Sequence, residues 1–189
     1  YSTIYLEYVD INFVGEASVV QEITYTAGYV YGQCVFNINR PGDTDEVNVV
    51  SANGWVGSLI LTKGVFNAPA GDLTIAGDLT KIGGTFNHND GKVIIRASPY
   101  FDAHIQGDLT FNDLEFFVAN AGVGGSIIGV SNPVLTVNGT ASFSGSAGTR
   151  NLGPTSADKF TVDLKGDLSM TYSTIYLEYV DINFVGEAS

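Results

Sequence analysis

Residues 64–75, GVFNAPAGDLTI, can be laid over residues 84–95, GTFNHNDGKVII, without a gap and at an offset of twenty throughout. Gly, Phe, Asn, Gly, an aliphatic residue and Ile recur at matched positions. Twenty residues is about the length of one coil in a stacked-repeat protein. In a parallel β-helix each coil sets its strands about 4.8 Å from those of the next, so matched residues lie over one another. The pattern therefore predicts Phe66 over Phe86 inside the coil, Asn67 over Asn87 as a ladder at a corner, and glycines supplying positive φ at turns.

A second tag supports the same reading: Gly71-Asp72-Leu73-Thr74, Gly77-Asp78-Leu79-Thr80, Gly107-Asp108-Leu109-Thr110 and Gly166-Asp167-Leu168-Ser169. In each, Gly-Asp turns the chain and Leu enters the core. Period-two alternation marks further strands at Leu135/Val137 and Val162/Leu164. It also runs through Ile4/Leu6/Tyr8 and then Val9/Ile11/Phe13, where the inward parity flips between Tyr8 and Val9 and implies a bend or bulge. The Gly/Ser-rich stretches 119–125 and 142–155 read as loops budding from the coils.

Composition agrees. Twenty-three Gly, ten Tyr, eleven Phe and a single Met disfavour helices and favour strands joined by tight turns. The 44% hydrophobic content is enough for a sizeable core. The expected fold is all-β, a parallel β-helix (β-solenoid) repeat unit. The alternative is a β-sandwich array, which needs no twenty-residue register.

A larger repeat encloses the small one. Residues 1–18, YSTIYLEYVDINFVGEAS, return unchanged as residues 172–189. Residues 1–189 thus read as one repeat unit of 171 residues plus an 18-residue overlap. Such self-similarity usually means units that each need a neighbour.

From Gly83 to Ile95 (GGTFNHNDGKVII) and from Ile105 to Phe116 (IQGDLTFNDLEF), the chain resembles the tandem repeats of very large prokaryotic surface proteins. The match covers roughly residues 58–118, with weaker echoes at 135–143 and 164–184; the aromatic block 25–36 has no obvious counterpart. The resemblance implies a β-solenoid of adhesins, sheaths or extracellular fibres, and hence an extracellular or cell-surface location.

The formal charge of −12 works against binding nucleic acid or anionic membrane. No apolar run is long enough to span a membrane. The chain does not begin with Met and its first residues show no basic signal-peptide region. The lone Cys34, in Gln33-Cys34-Val35-Phe36, has no internal disulfide partner and reads as a buried, inert thiol.

Asp43, Asp45 and Glu46 follow Pro41-Gly42 and offer oxygen ligands of the kind calcium takes, though without the full ligand set of a known loop. Solvated turn carboxylates are the plainer reading, and no other cofactor is expected. His88 and His104 stand apart, without zinc spacing. Ser144 lies in turn-like sequence and not in a nucleophile elbow. Paired carboxylates could be found among twenty acidic residues, but the eight Lys and Arg form no cluster to hold an acidic sugar. No enzymatic activity is expected and no catalytic residue is assigned. Asn138-Gly139-Thr140 is a sequon, making Asn138 a candidate glycan acceptor. Tyr25, Tyr29, Tyr31 and Trp55 can pack within strands or meet sugars and proteins; packing is the commoner use.

The function expected is structural: a repeat unit of an extracellular prokaryotic filament, sheath or surface fibre, assembling by end-to-end β-strand continuation. Its partner is a further copy of the same unit, tandem in one chain or as a separate subunit. The junction residues are Tyr1, Ile4, Leu6, Tyr8, Ile11 and Phe13, with Tyr172, Ile175, Leu177, Tyr179, Ile182 and Phe184 as their twins. The alternative is an adhesin module that binds carbohydrate or protein.

Overall fold

Where apolar and polar residues alternate, the chain extends and turns every second side chain inward. Val93, Ile95 and Ala97 are buried along Lys92–Ala97, as are Leu114, Phe116 and Val118 along Asp113–Val118, with half-buried residues between them. The computed structural model describes residues 9–24, 34–98, 100–119, 125–145, 150–153, 155–171 and 175–186. Among them the named strands pair only in parallel, and the sole helical element is a 3-10 turn at Ser156–Asp158.

The strands form three walls. The first holds β1 (Asp10–Phe13), β3 (Val35–Asn39), β6 (Ser58–Lys63), β9 (Leu79–Lys81), β12 (Ala103–Gln106), β15 (Ser126–Val130), β18 (Arg150–Leu152) and β21 (Ile175–Leu177), hydrogen-bonded in that order. The second holds β2 (Gln21–Ile23), β4 (Glu46–Val49), β7 (Val65–Asn67) and β10 (Thr85–Asn87), then, as a separate sheet, β13 (Leu109–Phe111), β16 (Val134–Val137), β19 (Phe160–Leu164) and β22 (Val180–Phe184). The third holds β5 (Gly54–Val56), β8 (Asp72–Ile75), β11 (Lys92–Ala97), β14 (Asp113–Val118), β17 (Ala141–Gly145) and β20 (Leu168–Met170). From β3 to β20 the chain makes six complete three-walled turns, with partial turns on either side. The chain is a β-solenoid, not a sandwich array.

The offset of twenty holds between the third and fourth walled levels on every wall: Leu59 pairs with Leu79, Phe66 with Phe86 and Leu73 with Val93. The Phe66 and Phe86 rings lie 5.8 Å apart and stacked, and Asn87 Nδ2 donates to Asn67 Oδ1 at 3.0 Å. Asn67 in turn donates to Asn48 Oδ1 at 2.6 Å, extending the ladder by one coil. Gly64 and Gly84 begin this wall with φ of +94° and +64°. A Cβ on Gly64 would meet Arg40 Cβ at 2.7 Å and the Asp45 carbonyl oxygen at 2.8 Å.

Elsewhere the coils differ in length. Val47 pairs with Phe66, nineteen residues on, and Leu135 with Val162, twenty-seven on. The second wall breaks between β10 and β13 for the same reason. Fourteen residues separate Leu79 from Val93, but nine separate their partners Ile105 and Leu114. The fourth coil therefore stands out beyond the fifth, leaving Thr85 and Asn87 exposed, and the Phe86 and Phe111 rings, 5.8 Å apart, and a bond from Asn112 to the Asp90 carbonyl bridge the step.

The core is one continuous cluster running the length of the solenoid. Within it Phe116 is stacked on Phe143 at 5.0 Å and lies beside Phe160 of the second wall at 5.6 Å. One expectation is corrected: part of 142–155 is not loop, since 142–145 lie in β17 and 150–152 form β18. Phe143 points inward while the small Ser142 and Ser144 sit half-buried on the outer face, and pairing with β14 and β20 overrides their weak strand propensity.

Candidate assembly surfaces at the two ends

At the leading end, β1 lies on β3 with Ile11 opposite Phe36 and Phe13 opposite Ile38. The Phe13 and Phe36 rings are 5.8 Å apart, and Asn37 Nδ2 donates to Asn12 Oδ1 at 3.0 Å. The chain then loops through residues 14–20 and is held there by two buried polar side chains from the next coil. Arg40, with no exposed surface, donates from Nη1 to Gln21 Oε1 at 2.7 Å, and from Nη2 to the carbonyls of Glu16, at 3.1 Å, and Val19. The Asp45 carboxylate accepts the N–H of Ser18 at 2.9 Å and of Gly42 at 2.7 Å. Those two backbone bonds hold its pKa below the usual carboxylate range, with Arg40 and Lys63 adding to them against the cost of burial. Val14, Val19 and Val20 remain exposed at this end.

At the trailing end, β22 lies on β19, with Ile182 opposite Val162 and Phe184 opposite Leu164. Asn183 Nδ2 donates to Asp163 Oδ1 at 2.9 Å, and Lys159 pairs with Asp181 at 2.7 Å. Phe184 is 69% exposed, and Met170, Tyr176, Tyr179 and Val185 are also exposed at this end. Among the described residues, β1, β2 and β5 on one side and β20, β21 and β22 on the other lie at sheet edges, as do β10 and β13 at the break in the second wall.

Ile11, Phe13, Leu177 and Ile182 pack against the core, and Tyr179 sits in the bend between β21 and β22. The parity flip read at Tyr8-Val9 falls partly outside the described residues, and the same sequence at Tyr179-Val180 lies at this bend. Ile175 begins β21. Tyr1, Ile4, Leu6, Tyr8 and Tyr172 lie outside the described residues, as do Tyr25, Tyr29 and Tyr31. The twin segments do not occupy equivalent places: Asp10–Phe13 is on the first wall and Asp181–Phe184 on the second.

The three carboxylates considered for calcium have separate roles. Asp45 is turned inward as described; Asp43 is exposed, 3.9 Å from Lys63; Glu46 accepts from Asn48 at 3.2 Å. No group of three His, Cys, Asp or Glu is placed to hold a metal ion among the described residues. Asn138 is exposed in the bend after β16. Trp55 is half-buried on the outside of the third wall, with the Arg96 guanidinium 5.2 Å from its ring and 4.9 Å from that of Phe117. Cys34 is fully buried, and burial, then the nearby Asp10 charge, pushes its thiol pKa up.

What the sequence did not reveal is how the turn aspartates work between coils. Asp78 accepts the N–H of His104 at 2.9 Å, Asp108 that of Val134 at 2.8 Å, and Asp113 that of Thr140 at 2.6 Å. Each carboxylate thus caps a backbone donor on the following coil. Lys92 is the register partner of Asp72, and its ammonium lies between two anions, 3.7 Å from Asp72 and 2.9 Å from Glu115. Burial works against the charged ammonium, but the bond to Glu115 and the fields of Glu115 and Asp72 outweigh it and raise the Lys92 pKa.

No family model, curated protein or solved structure matches this chain.

Proposed function

We propose that the chain is a structural repeat unit of an extracellular filament, sheath or surface fibre of a prokaryotic cell, joined end to end by continuation of its β-strands. The observation that carries this reading is the state of the two ends. Both present sheet edges bordered by exposed apolar side chains, the surfaces that strand addition would cover. The unchanged eighteen-residue repeat supplies a matching strand at each. The resemblance to surface-protein repeats supplies the extracellular setting, and the charge of −12 suits a large solvated outer face. The adhesin alternative has less support, because the face of Trp55 is taken by Arg96.

The test is electron microscopy of the concentrated protein, with the mass of native material measured after complete denaturation. Filaments are expected. A mass far above 20.0 kDa would mean units threaded on one polypeptide, and a mass near it would mean subunits joined without covalent bonds. A native source that contains only isolated 20 kDa monomers, with no fibre at any concentration, would sink the proposal.

A further inference from the structure

The two copies of Asp-Ile-Asn-Phe keep the same side chains inward and outward, yet each is paired on a different side. Asp10–Phe13 pairs with β3, which follows it; Asp181–Phe184 pairs with β19, which precedes it. What one copy uses, the other leaves free. Asn12 takes a bond from Asn37 through its Oδ1, whereas its twin Asn183 gives one to Asp163 through its Nδ2. Phe13 has Phe36 beside it, whereas its twin Phe184 is 69% exposed. Gly15 lies against the Arg40 guanidinium, whereas nothing lies within 4 Å of where a Cβ on its twin Gly186 would point. A neighbouring unit's Phe36, Asn37 and Arg40 are the groups that would fill these places.

We infer that one copy of this segment serves as the shared strand between successive units, and that each unit is turned by one wall about the solenoid axis relative to the last. The turn follows from the topology. From β1 to β21 the first wall takes seven steps, which is seven turns, and β22 lies one wall further on. A residue and its twin 171 positions later are therefore separated by seven turns and a third. Placing the next unit's β3 on β22, as β3 lies on β1, sets that unit's first wall on this unit's second. Three units restore the starting orientation. Each unit advances about 35 Å along the axis, at about 4.8 Å per turn. The partner is a second copy of this unit, so the inference rests on the end-to-end reading above.

The test is a chain of two units that share the eighteen residues, carrying Cys34→Ala throughout and cysteines in place of Asn183 and of the second unit's Asn37. Asn12 and Asn37 are direct register partners, so their junction equivalents should form a disulfide on mild oxidation, identified by peptide mapping. A parallel chain carries Glu178→Cys with the second unit's Val35→Cys, which reports a joint without rotation because the two positions fall in one column when the first-wall register is followed from β3 to β21. A link from position 183 supports the inference. A link from position 178, or no link in either chain, overturns it. Failure of separate single units to form fibres would count against non-covalent assembly and leaves this readout unaffected.

Discussion

A guanidinium taken out of water needs partners for its donors, and Arg40 directs its two Nη groups to the carbonyls of Glu16 and Val19 and the side chain of Gln21, leaving only Nε without one. Arg40→Met keeps most of the apolar stem but leaves those acceptors unmatched. It is expected to cost about 1–3 kcal/mol and to speed amide hydrogen exchange over residues 14–20, with the middle coils unaffected. Asp45 belongs to the same contact and makes it sensitive to acid. Its folded pKa is lowered, so its contribution is fully present above the unfolded value, about 3.9, and is lost as pH falls through the folded value. Protection of the Ser18 N–H, measured relative to its intrinsic exchange rate at each pH, should therefore be high at neutral pH and fall in strong acid, and Asp45→Asn should remove that change in protection. Neither role was legible in sequence. Three carboxylates beside Pro41-Gly42 suggest an ion, while the partners of Arg40 and the Ser18 N–H that Asp45 accepts lie 19 to 27 residues away and carry no local signal.

Stacked strands make each aromatic column a single packing unit. Phe116 touches both Phe143 and Phe160, so Phe116→Ala is expected to cost about 3–5 kcal/mol, checked by chemical denaturation; Phe86→Ala, at the half-buried step in the second wall, should cost less. These columns were legible where neighbouring coils have equal length. The spans from Leu59 to Leu73 and from Leu79 to Val93 match residue for residue, so Phe66/Phe86 and Asn67/Asn87 stand out in the sequence. The fifth coil reaches its third wall in nine residues, and no fixed offset survives that change. β17 was missed because its outer positions are both Ser and its buried face ends in Gly145, which read as loop until neighbouring strands are present.

For the molecule as a whole, the fold class, the walls of parallel strands and the bend at Tyr179-Val180 follow from period and parity alone. The rotation of one twin relative to the other does not, because it depends on the summed lengths of seven coils. Phe184 offers a clean test of assembly: it is exposed within the unit, so Phe184→Asp should leave the circular dichroism and melting of the monomer almost unchanged while abolishing fibres in sedimentation.

The break between β10 and β13 also bears on how such a unit would respond to force. Tension along the axis pulls directly on the bonds between coils. At every level from the second coil to the seventh except this one, three ladders share the load; here two do, aided by the contact of Phe86 with Phe111 and the Asn112 bond. Among the levels between complete coils, stretching should therefore open this one first, and bending should fold the unit away from the second wall. In single-molecule pulling this would appear as an early, low-force extension that divides the unit into its first four and its last coils, giving the rod a compliant joint once per repeat.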